Sequence, residues 1–216
     1  MSNEITVEIK NLSKTIKNTT ILNDISVTFK KGKIYGIIGK NGSGKSMLFK
    51  AICGLINLTE GEIKVFDETI KDGKFPKETG IIIEHPGFLP QYSGFKNLKF
   101  LANIRNIISD EEIRNVISLV GLNPDDARPI KKYSLGMKQR LGIAQAIMEE
   151  PKLLILDEPM NALDSEGVNL IREILLELKD KSVTILLTSH NKEDIDILCD
   201  SIYTMDKGIL KEWICF

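Results

Sequence analysis

The chain has 216 residues, enough for one large domain, or one domain with a lobe inserted in it, and too few for two full domains. Hydrophobic residues make up 42% and charged residues 27%, which supplies a buried core and excludes a fibrous or disordered chain. Lys and Arg total 29 against 30 Asp and Glu, net −1, so no general field draws the chain to nucleic acid or anionic lipid, and any anion must be held by a local site.

In chain order, Ile5, Val7 and Ile9, then Thr20–Leu22, then Ile25, Val27 and Phe29 alternate with polar residues and read as a small antiparallel sheet. After a turn at Lys31-Gly32-Lys33, Ile34–Ile38 is a continuous apolar strand that enters a glycine-rich loop and then a helix from Lys45 to about Leu55, closed by Gly54. Glu62–Phe66 and Glu68–Lys71 read as a hairpin about Asp67, and Gly80–Glu84 as a short buried strand. From Phe95 to Glu150 the period becomes helical. Leu98, Leu101, Ala102 and the segment Ile104–Ile107 carry the first helix, a capping box at Ser109–Glu112 opens a second running to Gly121, and Met137–Met148 forms a third, stopped by Pro151. Strands return at Leu153–Asp157 and Val183–Thr188, with a helix from Ser165 to about Leu178 between them, which predicts a parallel sheet. Asn191 and Asp194 open a last helix, and Ser201–Met205 with Ile209–Trp213 closes the chain as a hairpin about Lys207-Gly208.

No apolar run approaches the roughly 18 residues that a spanning helix needs, and the opening MSNEITVEIK lacks the pattern of a signal peptide, so a cytoplasmic chain is expected. Cys53, Cys199 and Cys215 are far apart with no C-x-x-C spacing, which argues against a disulfide framework or a zinc site and leaves buried or incidental thiols.

The strongest chemical signal is Gly39-Lys40-Asn41-Gly42-Ser43-Gly44-Lys45-Ser46, a G-x-x-x-x-G-K-[ST] pattern between a predicted strand and a predicted helix. Glycines let successive N–H groups turn toward phosphate oxygens, and the helix N-terminus adds partial positive charge. Lys45 would neutralise β and γ phosphates and Ser46 would bind Mg²⁺, with Met47 continuing the nucleotide-binding stretch. Leu153–Leu156 ends in Asp157 and Glu158, an acidic strand tip that beside such a loop suits Mg²⁺ at Asp157 and a water at Glu158, which would orient or deprotonate it. His190 follows the strand Val183–Thr188 at the edge where α/β sheets place ligands. His85, beside Glu84 in a loop, has no further ligands around it in the sequence and is not read as a metal site.

The order of the phosphate loop, Ser134-Leu135-Gly136-Met137-Lys138-Gln139-Arg140, Asp157-Glu158, Asn161–Asp164 and Ser189-His190 resembles an ABC-type ATPase over essentially the whole chain. That resemblance implies an α/β fold over residues 1–216: a P-loop NTPase core with a mostly parallel sheet, an N-terminal antiparallel β subdomain and an inserted α-helical subdomain at about 86–150. It implies ATP and Mg²⁺ as cofactors, with Lys45, Glu158 and His190 catalytic. It further implies a homodimer or heterodimer in which Ser134 and Gly136 reach the γ-phosphate held by the other subunit, and Asp164 helps to join the two. A transmembrane permease on a separate chain would be driven from the inner face of the membrane, with the stretch His85–Phe95, including Phe88, Tyr92 and Phe95, meeting its coupling helix; no nucleic-acid partner is implied. Three departures stand out. Leu135 and Met137 replace a Gly and a Gln of the signature, giving a form similar to the subgroup of bacitracin, lantibiotic and other peptide exporters. Glu84 stands where the family has a Gln that senses Mg²⁺, and its carboxylate is expected still to reach the metal; Ile16 stands where many members stack an aromatic ring on adenine and would give the nucleotide apolar contact instead. A P-loop small-molecule kinase leaves Ser134–Arg140 and His190 unexplained, a non-transport member would carry a second ATPase domain or a long coiled-coil insertion, and a nucleotide-binding regulator without turnover stays open on Glu84 and Leu135.

Overall fold

A computed structural model describes residues 4–71, 73–84 and 86–213. His85 and Cys215, singled out above, lie outside the described residues. The chain opens with two twelve-residue strands, β1 (Ile5–Ile16) and β2 (Thr19–Lys30), paired antiparallel. The second is one strand where the sequence reads two pieces. The break in alternation at Asn23-Asp24 comes from a bulge: Asn11 and Asp24 both adopt left-handed backbone (φ 48° and 47°), and Asn11 Nδ2 donates to Asp24 Oδ1 at 3.0 Å.

Next come β3 (Ile34–Ile38), α1 (Lys45–Ile52), β4 (Glu60–Val65), β5 (Glu68–Thr69) and β6 (Thr79–Ile82). Helix α1 ends at Ile52, three residues before the predicted Leu55, with Cys53 as its C-cap and Gly54 left-handed behind it. The helices α2 (Gly94–Arg105), α3 (Asp110–Leu119) and α4 (Leu135–Ile147) follow. Helix α3 has the predicted capping box, with the Ser109 hydroxyl accepting from Glu112 N and the Glu112 carboxylate accepting from Ser109 N. Helix α2 ends where Asn106 turns left-handed, which leaves Ile107 outside it and exposed; Ile104, within the helix but off the face that buries Leu98 and Ala102, is exposed as well. The chain closes with β7 (Leu153–Leu156), α5 (Ser165–Asp180), β8 (Thr184–Thr188), α6 (Lys192–Leu198), β9 (Ser201–Asp206) and β10 (Ile209–Glu212).

Two sheets result. The first is antiparallel, ordered β2-β1-β4-β5. The second is ordered β10-β9-β3-β8-β7-β6, parallel throughout except for the edge strand β10. The parallel sheet is covered on both faces, which explains its unbroken apolar runs. Leu154, Leu156, Ile185 and Leu187 join the core shared with α2–α6, while Leu153, Ile155 and Leu186 face α1 and the antiparallel sheet. Each such buried side chain contributes about 1.5–3 kcal/mol. The chain is therefore an α/β protein with a mostly parallel core sheet, an N-terminal antiparallel sheet and helices inserted between β6 and β7.

Candidate functional site

Strands β3, β8 and β7 lie side by side in the sheet, so the loops leaving their carboxyl ends converge. From β3 comes the glycine loop. Gly44, the N-cap of α1, has φ 116°, and a Cβ there would stand 3.1 Å from the Ile21 carbonyl oxygen; at Gly39 a Cβ would stand 2.2 Å from that of Met205. Only glycine lets the loop lie this close to β2 and β9. Lys45, buried at the start of α1, donates through Nζ to the Gly39 carbonyl at 2.7 Å and the Lys40 carbonyl at 3.3 Å.

From β7 come Asp157 and Glu158. The Ser46 hydroxyl donates to Asp157 Oδ2 at 2.5 Å, and the Thr188 hydroxyl, at the tip of β8, donates to Oδ1 at 2.7 Å. The same Thr188 oxygen accepts the Glu158 backbone N–H at 2.8 Å. His190, from the loop after β8, has Nε2 3.0 Å from Asn41 Oδ1 and 3.1 Å from Glu158 Oε1. Burial of Glu158 pushes its carboxyl above the usual range; His190 and Lys45 pull it back, and Asp157 adds to the rise. Among the described residues, Ser43 Oγ is a buried side-chain polar atom without a hydrogen-bond partner, and Glu158 Oε1, also buried, has the His190 ion-pair contact but no hydrogen bond of good geometry. The cleft between these loops measures about 390 Å³, and its lining includes Ile21, Asn41, Gly42, Gly44, Lys45, Ser46, Met47, Asp157, Glu158 and His190.

Other sequence-predicted residues stand outside this lining. Ile16 is exposed near the end of β1, and the aliphatic side chain at the cleft wall is Ile21. Glu84, which follows β6 with a left-handed backbone, pairs with Lys50 of α1 at 2.6 Å. Ser134 caps α4, its hydroxyl accepting from Met137 N at 3.1 Å, and Gly136 packs under the Ala162 carbonyl. Asp164 caps α5 and pairs with Arg140 of α4 at 2.9 Å; the Gly167 N–H first, and then Arg140, hold its carboxyl below the usual carboxylate range. Sequence reasoning missed Thr188, whose hydroxyl serves both acidic residues. A threonine ending a β-branched, apolar strand carries no local signal of that role; only the strand order places it between β3 and β7.

A parallel sheet with a glycine loop running into a helix at its carboxyl edge defines the P-loop class of α/β proteins. The family model described as ABC transporter matches residues 22–161. An uncharacterized ABC transporter ATP-binding protein, YybJ of Bacillus subtilis (strain 168), is 52% identical over 95% of this chain and 94% of its own length. The bacitracin transport ATP-binding protein BcrA of Enterococcus faecalis is 41% identical over 97% of this chain and 69% of its own. A solved ATP binding subunit of an ABC transporter superposes with a TM-score of 0.86 at 28% identity, covering 95% of this chain and 88% of the other. The chain belongs to the ABC transporter family as an ATP-binding cassette. Among the described residues no helix is long and apolar enough to cross a membrane.

Proposed function

We propose that this chain is the ATP-binding and Mg²⁺-dependent ATP-hydrolysing subunit of an ABC transporter. Two such subunits, identical or different, close around two ATP and drive a separate transmembrane permease from the inner face of the membrane. The carrying observation is the meeting of Ser46, Asp157 and Glu158 at the mouth of the glycine loop. The donor set fits the ligand. Ser43 Oγ is an unpartnered hydroxyl inside a loop of N–H groups, and the Ser46–Asp157 oxygens are the hard donors that Mg²⁺ takes when phosphate oxygens and water complete its shell.

Lys45 and the N-terminus of α1 would hold the β and γ phosphates, Ser46 and Asp157 would hold the metal, and the Thr188 hydroxyl fixes the Asp157 carboxylate through Oδ1. Bound Mg²⁺ neutralises charge that develops on the phosphate oxygens. Glu158 orients the attacking water and takes its proton, and His190 approaches the γ-phosphate from the neighbouring loop. Glu84, the third metal ligand expected from the sequence, is paired with Lys50 here. Ser134 and Gly136, outside the cleft of their own chain, complete the site of the other subunit across the dimer. The proposed functional unit is residues 1–216 as one domain, with the helical part at about 86–150 facing the permease. The relative named for bacitracin transport supports export of a peptide, antibiotic or other amphipathic compound as the cargo.

The test pairs two variants. Lys45→Ala is expected to raise the Kd for ATP by about 10- to 100-fold, the worth of hydrogen bonds to a charged group. Glu158→Gln is expected to bind ATP with wild-type affinity and turn it over about 10²- to 10⁴-fold more slowly. Unchanged turnover in Glu158→Gln removes Glu158 as the catalytic carboxylate.

A further inference from the structure

His190 sits on the three-residue connection between β8 and α6, with its side chain half exposed. No regular element holds it, so its aim must come from neighbours. Ser189, directly before it, is turned inward and buried. Its Oγ donates to Asp194 Oδ2 at 3.0 Å and accepts the Asn191 N–H at 3.0 Å, which closes a small ring of bonds around the His190 backbone. Asp194, 1% exposed, uses its other oxygen to accept from Arg172 Nε at 3.0 Å and Nη2 at 2.6 Å. Arg172 belongs to α5, and its guanidinium also reaches Glu193 at 3.3 Å.

A buried ion pair is a weak source of stability beside an apolar pair of the same size, while its fixed fork of donors sets geometry sharply. Here that geometry ends on the Ser189 hydroxyl, one residue from the cleft. We infer that Arg172, Asp194 and Ser189 are positioning residues, a relay through which helix α5 aims His190 at Glu158 and the γ-phosphate. This inference rests on the role given to His190 above. The relay has a second end. Asp164, the N-cap of α5, is bonded to Arg140 in the middle of the helix that Ser134 caps, so the backbone of α5 and its bonds at either end join α4 to the loop that carries His190.

Ser189→Ala tests it, because the variant deletes one hydroxyl and leaves the Arg172–Asp194 pair whole. With two histidines in the sequence, His190→Gln assigns the His190 ring signal in a proton NMR spectrum. The expected result is a kcat for ATP hydrolysis lower by about tenfold or more, a KM for ATP within about twofold of wild type, and a displaced, broadened His190 ring signal in the nucleotide-free chain. Ser189→Thr, which restores the hydroxyl, is expected to restore both. Wild-type kcat with an unmoved ring signal in Ser189→Ala overturns the inference. So does a loss of folding that Ser189→Thr fails to repair. If the wild-type chain shows no ATP turnover, the proposed function falls, and the ring signal alone decides whether the relay aims His190.

Discussion

Glu158 bears the least comfortable charge in the cleft. It follows a fully buried strand, its backbone is left-handed at φ 52°, and its side chain is only 18% exposed. Desolvation outweighs the pull of His190 and Lys45, so its folded pKa lies above the unfolded one. The folded chain then binds more protons than the unfolded chain between those two values, and stability declines as pH rises through that window. Removing the charge removes the penalty. Glu158→Gln should therefore melt at a higher temperature than wild type at about pH 7, with the gap closing as pH falls below the unfolded carboxyl value of about 4.3. Calorimetry over that range checks it, and a gap of the opposite sign would mean that the cationic neighbours dominate. At this scale the sequence was legible where spacing carries chemistry: the glycine loop, Asp157, Glu158 and His190. It was silent where contact depends on strand order, as for the Thr188 hydroxyl, and where a neighbouring helix supplies a partner, as Lys50 does for Glu84.

Among elements, the join between β6 and α4 is the tightest backbone approach at a glycine among the described residues. A Cβ at Gly80 would lie 1.8 Å from the Ala146 carbonyl oxygen and 2.8 Å from its carbon, neither of which can move without shifting α4. Gly80→Ala should cost about 3 kcal/mol, a fall in Tm of roughly 6–12 °C for a chain of this length, measured by thermal melting. The elements themselves were readable in proportion to how simply they are buried. β7 and β8, covered on both faces, announce themselves as unbroken apolar runs, and α3 by its capping box. β2 did not, because the bulge at Asn11 and Asp24 interrupts the alternation that marks a strand with one face in the core. Helix ends shifted by one to three residues where a left-handed residue such as Asn106 or Gly54 takes over from the periodic pattern.

Across the whole molecule the candidate residues divide between two surfaces. Lys45, Ser46, Asp157, Glu158 and His190 meet in one cleft, while Ser134 and Gly136 lie at the exposed start of α4, beside a Leu135 that is 61% exposed. Under the proposed function these are two halves of one site, and a second chain would offer the missing half. Light scattering after gel filtration should give purified Glu158→Gln twice its monomer mass with ATP and Mg²⁺ and the monomer mass with ADP and Mg²⁺. A monomer under both conditions would mean that a different ATPase subunit or the permease must supply the second half.

The Lys45 ammonium, bonded to the Gly39 and Lys40 carbonyls, gives nucleotide capture the character of an exchange. The loop keeps its open curve because its own lysine braces it from inside, and an arriving phosphate must trade places with two carbonyl oxygens. Affinity at this loop is thus a difference between two sets of bonds to one cation. Removing that cation deletes both sets of bonds at once, so the weakening expected in Lys45→Ala is smaller than the gross strength of the lysine–phosphate bonds themselves.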